Sequence, residues 1–125
     1  MSADLSTLTT GEFLHALRQV VAEKGAGYVY PKSGKRAAAG DLAPVCQYRV
    51  NGGPSCIIGH VLDRLGIVTE PRHEGCEASH VIALYGGSEQ VAALADAAQV
   101  VQDGGDTWGD ALAEVEHLAE FLGAP

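Results

Sequence analysis

No lysine or arginine occurs after Arg72 in this 125-residue chain. All eight basic residues lie in the first 72 positions beside six carboxylates, and residues 73–125 hold ten carboxylates. The two stretches therefore carry +2 and −10, which make the net −8 of the whole. Nucleic acid and anionic membranes are bound through cationic groups and counterion release, so an acidic chain of pI 4.9 argues against both. No apolar run approaches the roughly 18 residues of a bilayer span. The first residues, MSADLSTLTTGEF, lack the basic and apolar regions of a signal peptide. A cytoplasmic location is expected. The three cysteines, Cys46, Cys56 and Cys76, are an odd number and are expected to be reduced there. Aromatic residues are scarce, at 6% with one tryptophan, so a core of small and aliphatic side chains is expected. The chain length suits one globular domain over 1–125.

What is present reads mostly as helix. Thr9-Thr10-Gly11-Glu12 has capping-box spacing, and Phe13, Leu14, Leu17, Val20 and Val21 recur at helical intervals up to Lys24-Gly25. This predicts a helix over about 10–24. Glycines and prolines punctuate residues 25–44 as loop, although Tyr28-Val29-Tyr30 has strand propensity. Residues 45–50 alternate like a half-buried strand before the turn Asn51-Gly52-Gly53, so a two-stranded ribbon is expected here. Pro54 suits a first helical position, and Ile57, Ile58, Val61, Leu62 and Leu65 then form a stripe ending at Gly66. A short helix is expected over Glu77 to Tyr85, and another beginning at Ser88 with Val91, Leu94, Ala95, Ala98 and Val101 inward. Asp106 is expected to cap the last helix, whose seam is Trp108, Leu112, Val115, Ala119 and Leu122. The fold class is mainly α (α+β): about five helices packed around a small two-stranded antiparallel ribbon, with a C-terminal helix hairpin.

Four groupings could carry chemistry. Cys56-x₃-His60 and Cys76-x₃-His80 each place a thiol and an imidazole on one helical face, together a Cys₂His₂ set suited to tetrahedral zinc. His73 and Cys46 are spare donors, but no Cys-x₂₋₄-Cys knuckle is present, and packed core thiols would give the same spacing. Cys56 also falls in the first turn of a helix, where the dipole lowers a thiol pKa, with His60 one turn on as a base. The basic and aromatic cluster Lys32, Lys35, Arg36, Tyr28 and Tyr30 could stack on a nucleic-acid strand, against the repulsion of the acidic half. It is not a phosphate loop, because the glycine spacing fails and Arg36 replaces the hydroxyl residue. Finally, Glu89, Asp96, Asp103, Asp110, Glu114, Glu116 and Glu120 fall on the outer faces of the last two helices. Such a surface can dock on a basic protein or imitate the charge of DNA, or serve solubility alone.

The stretch Cys46 to Gly66, CQYRVNGGPSCIIGHVLDRLG, resembles small proteins of actinobacteria and their phages that pair a G-x-P-x-C segment with a G-[HR]-x-L helix. The later stretch from Gln102 through Asp103 and Trp108 to Leu112 is similar to the same family's Q-D-x-G-x-x-W-x-x-A segment. The resemblance covers about a quarter of the chain. It implies a source and an architecture, and brings no catalytic residues. Structural duties suffice for these positions: Gly52-Gly53-Pro54 as the turn into a helix, Gly59 for close approach, and Trp108 as an anchor.

These features are read as those of a non-catalytic interaction protein of phage or actinobacterial type. It binds a protein, a host protein if phage-encoded, through its acidic helical surface, with Glu114, Glu116 and Glu120 as contact residues. The alternative is a zinc-stabilised module on Cys56, His60, Cys76 and His80; a cysteine-dependent enzyme centred on Cys56 comes third. No other cofactor is expected. The Leu/Val seam would support a homodimer and would equally fill a monomer core.

Overall fold

The structure, a computed structural model, describes residues 4–30, 47–50, 52–74 and 76–122. The Lys32–Arg36 cluster, Cys46 and Asn51 lie outside the described residues.

Helix α1 spans Thr10–Lys24. Thr9 Oγ1 accepts the Glu12 amide at 3.0 Å, and Glu12 Oε1 accepts the Thr9 amide at 2.9 Å, so two of the helix-end donors are satisfied reciprocally. Phe13, Leu14, Ala16, Leu17, Val20 and Val21 are its buried face. The chain leaves at Gly25 with φ 95°, a conformation that disfavours any residue with a Cβ.

The next segment differs from expectation. Tyr28-Val29-Tyr30 forms no strand; the carbonyls of Ala26 and Tyr28 instead accept the amides of Gly109 and Trp108, each at 2.8 Å. Strand propensity was outcompeted by the unsatisfied donors at the start of a distant helix. The ribbon pairs β1 (Arg49–Val50) with β2 (Gly53–Pro54), antiparallel with Arg49 opposite Pro54. Two further backbone bonds prolong it, Ser55 N to Tyr48 O and Cys56 N to Gln47 O, both 2.9 Å. Pro54 is therefore a strand residue rather than a first helical one, and α2 begins three residues later as Ile57–Arg64.

A 3-10 turn (Pro71–His73) leads to α3 (Ala78–Leu84), α4 (Glu89–Asp103) and α5 (Trp108–Phe121). Ser88 caps α4 as its spacing predicts. For α5 the cap is Thr107, whose Oγ1 accepts the Asp110 amide at 3.0 Å, and not Asp106. Thr107-x-x-Asp110 is itself a capping signature one residue farther on. The α4–α5 hairpin is the largest packing unit, and α4 touches every other helix. The fold is thus mainly α, with five α-helices about a two-stranded ribbon among the described residues. Among the described residues no helix is long and apolar enough to cross a membrane.

Among the described glycines the tightest approach is at Gly59, between α2 and the ribbon. A Cβ on Gly59 would stand 2.1 Å from the Tyr48 carbonyl oxygen, and that oxygen is fixed by its bond from Ser55. Gly59→Ala is expected to cost about 3 kcal/mol, as overpacking against immobile backbone does. Gly27→Ala, with open space about it, should change stability by less than about 1 kcal/mol. Urea unfolding midpoints of the two variants check the contrast; equal midpoints would contradict the contact.

Candidate functional site

Three side chains from α4 and the loop before α3 organise the junction beneath the ribbon. Gln102, 1% exposed, accepts the amide of Ile57 on its Oε1 at 2.7 Å, while its Nε2 donates to Asp103 Oδ1 at 2.9 Å. Burial raises the Asp103 pKa, and the bond from Gln102 partly offsets this. Glu74 grips two successive amides of the ribbon, Tyr48 N on Oε1 at 2.8 Å and Arg49 N on Oε2 at 3.1 Å. The Tyr48 hydroxyl donates to the Cys76 carbonyl, with Gln99 Oε1 3.4 Å away. Burial holds that phenol far above its ordinary range, so it stays a donor.

The second cluster is aromatic. Trp108 is fully buried and meets Tyr28 edge-on at 4.7 Å and His60 at 5.4 Å. His60 also lines a cleft of about 390 Å³ with Val20, Glu23, Pro54, Asp63 and Arg64. Burial, then the nearby Lys24, lower its pKa; Asp63 acts in the opposite sense. The carboxylates of this cleft already have cationic partners, Asp63 with Arg49 and Glu23 with Arg64.

The four Cys/His residues do not gather. Cys56 is buried at the cap of α2, its Sγ accepting the Gly59 amide at 3.4 Å, and it is disulfide-bonded rather than reduced. His60 faces Trp108, Cys76 is a half-buried free thiol, and His80 is exposed on α3. Among the described residues no group of three or more His, Cys, Asp or Glu could hold a metal ion. His73, the spare donor, is buried against Tyr85 with ring centres 5.6 Å apart.

The acidic residues divide by duty. Asp96 accepts the Ser79 amide at 2.8 Å, and Asp103 is tied to Gln102, so both serve the fold. Glu116 pairs with Arg18 at 2.9 Å. Asp110, Glu114 and Glu120 are exposed and have no ion pair among the described residues. With Ala113, His117 and Phe121 they occupy one side of α5, where Phe121 is 85% exposed.

Sequence reading missed Gln99, Gln102 and Glu74. The two glutamines could have been found: Ala95, Ala98, Gln99 and Gln102 follow the same spacing as the apolar stripe of α4. Glu74 had no signal, because its amide partners lie 25 and 26 residues away.

Fold and site define a small mainly-α domain with a bonded polar junction beneath its ribbon and an exposed acidic side on its last helix. No family model, curated protein or solved structure matches the chain.

Alkylation of the denatured, unreduced protein should label Cys76 and spare Cys56, and reduction should then expose Cys56 to label. Peptide mapping reads both positions; a Cys56 labelled before reduction would contradict its oxidised state.

Proposed function

We propose that this chain is a non-catalytic interaction protein of actinobacterial or phage type that binds a basic protein surface through the outer side of α5. One observation carries the reading: Asp110, Glu114 and Glu120 share that side, exposed and without cationic partners among the described residues, and it ends in the exposed Phe121. The carboxylates would steer the encounter, and Phe121 would supply the apolar anchor that charge alone lacks. Glu116, expected from sequence beside them, has Arg18 as an exposed ion-pair partner and contributes less free charge. A steered encounter weakens as salt shortens the screening length from about 14 Å at 0.05 M to about 4 Å at 0.5 M. The family resemblance supports the choice of source. Its two sequence blocks meet in the fold at the Ile57–Gln102 bond and the His60–Trp108 contact.

The test is affinity capture from an actinobacterial lysate, followed by association kinetics with the protein recovered. Wild type should hold a basic partner at low salt and release it at high salt. The triple variant Asp110→Asn, Glu114→Gln, Glu120→Gln should associate about tenfold more slowly. Glu116→Gln should behave as wild type. Equal capture and rates for wild type and the triple variant would overturn the proposal.

A further inference from the structure

The cleft of about 390 Å³ beside His60 is built from three elements. Helix α1 gives Val20 and Glu23, α2 gives His60, Asp63 and Arg64, and β2 gives Pro54. Its volume falls in the range of small-molecule sites, about 300–1,000 Å³. Val20 and Pro54 supply an apolar lining, and the other four residues are polar.

Both carboxylates of the cleft already have a cation, Glu23 in Arg64 and Asp63 in Arg49. The donors are less committed. Among the described residues Lys24 is the one lysine or arginine without a carboxylate partner, since Arg18, Arg49, Arg64 and Arg72 each have one. Lys24 follows Glu23 in α1, lies over the Tyr28 ring 5.1 Å from its centre, and acts electrostatically on His60. The His60 ring makes no hydrogen bond among the described residues, although a neutral imidazole carries one N–H. The indole of Trp108 packs edge-on against that ring, and its buried N–H also has no partner among the described residues. Arg64 bonds to Glu23 and Gln19 through two nitrogens, and a guanidinium carries five N–H groups.

Uncommitted donors and one unpaired cation call for an acceptor with a single negative charge. A dianion brings more charge than Lys24 balances, beside two carboxylates that repel it. An amine meets Lys24 and carboxylates that are already paired.

We propose that this cleft binds a small organic carboxylate, received by Lys24, Arg64 and the ring N–H of His60, with its apolar part on Val20 and Pro54. The cleft shares no residue with the outer side of α5, so this proposal and the acidic interface can each fail alone.

Benzoate is the probe, with benzamide as its neutral counterpart and benzylamine as its cationic one. Each is titrated into the full chain near neutral pH, followed by NMR of the His60 ring and by fluorescence of Trp108, the only tryptophan. Benzoate should give saturable changes in both signals, and benzamide should bind at least about tenfold more weakly for want of a charge-assisted contact. Bound benzoate should also raise the His60 titration midpoint, because a neighbouring negative charge favours the imidazolium. Lys24→Gln should weaken benzoate about tenfold, whereas Arg72→Gln, on the 3-10 turn, should leave its affinity unchanged. Several results would overturn the proposal: equal affinity for benzamide, tighter binding of benzylamine, or no saturable response at tens of millimolar benzoate. An unmoved His60 midpoint in bound benzoate, or equal weakening in Lys24→Gln and Arg72→Gln, would do the same.

Discussion

The hydrogen bond from the Ile57 amide to the side chain of Gln102 is the constraint on which the rest of the architecture hangs. The first amides of a helix have no partner within it, and those of α2 begin inside the core, where Ile57 and Ile58 are fully buried. A buried donor left unmade costs about 1–3 kcal/mol, whereas an exposed ion pair such as Arg18–Glu116 is worth about 0–1 kcal/mol. The bond therefore outweighs the surface charges in deciding how α4 meets α2. It also positions the start of α5, because Gln102 holds Asp103 and the chain then turns through Gly104-Gly105 to return Trp108 to the core.

Two close approaches of backbone complete the junction. Gly59 lets α2 lie against the Tyr48 carbonyl, and Gly109 lets α5 lie against Ala26, where a Cβ would come within 2.7 Å of the carbonyl oxygen. Glu74 fixes the ribbon edge from the opposite direction by taking two of its amides. Gln102, Gln99 and Tyr48 are bonded within the junction, while among the described residues the buried Thr69 Oγ1 and Trp108 Nε1 have no hydrogen-bond partner. Exposed acids without an ion pair among the described residues include Glu77, Glu89 and Asp106 as well as Asp110, Glu114 and Glu120, and the last three share one side of α5.

Much of this was legible. The capping box at Thr9, the glycine stop at Gly25, the Ser88 cap and the apolar seam through Trp108, Val115 and Ala119 are local patterns, and local patterns fix helices. What escaped depended on partners remote in sequence. Tyr28 to Tyr30 reads as strand until the amides of Trp108 and Gly109 claim the carbonyls of Tyr28 and Ala26. Pro54 reads as a helix start until the ribbon claims it. The acids of the last two helices look equivalent in sequence, yet Asp96 and Asp103 bond within the fold and Glu116 pairs with Arg18 at the surface, while Glu89, Asp110, Glu114 and Glu120 have no ion pair among the described residues. The paired Cys-x₃-His steps look like a ligand set, but their spacing says nothing of the distance between the pairs.

Hydrogen exchange at the Ile57 amide tests most directly whether the Gln102 bond governs the junction. In the native protein this amide should exchange only through global unfolding, with a protection free energy equal to the unfolding free energy from urea. In Gln102→Leu its protection should drop to a local opening, and the global stability should fall by about 1–3 kcal/mol. An Ile57 amide that exchanges in wild type by local fraying, indifferent to urea, would contradict a junction built on this bond.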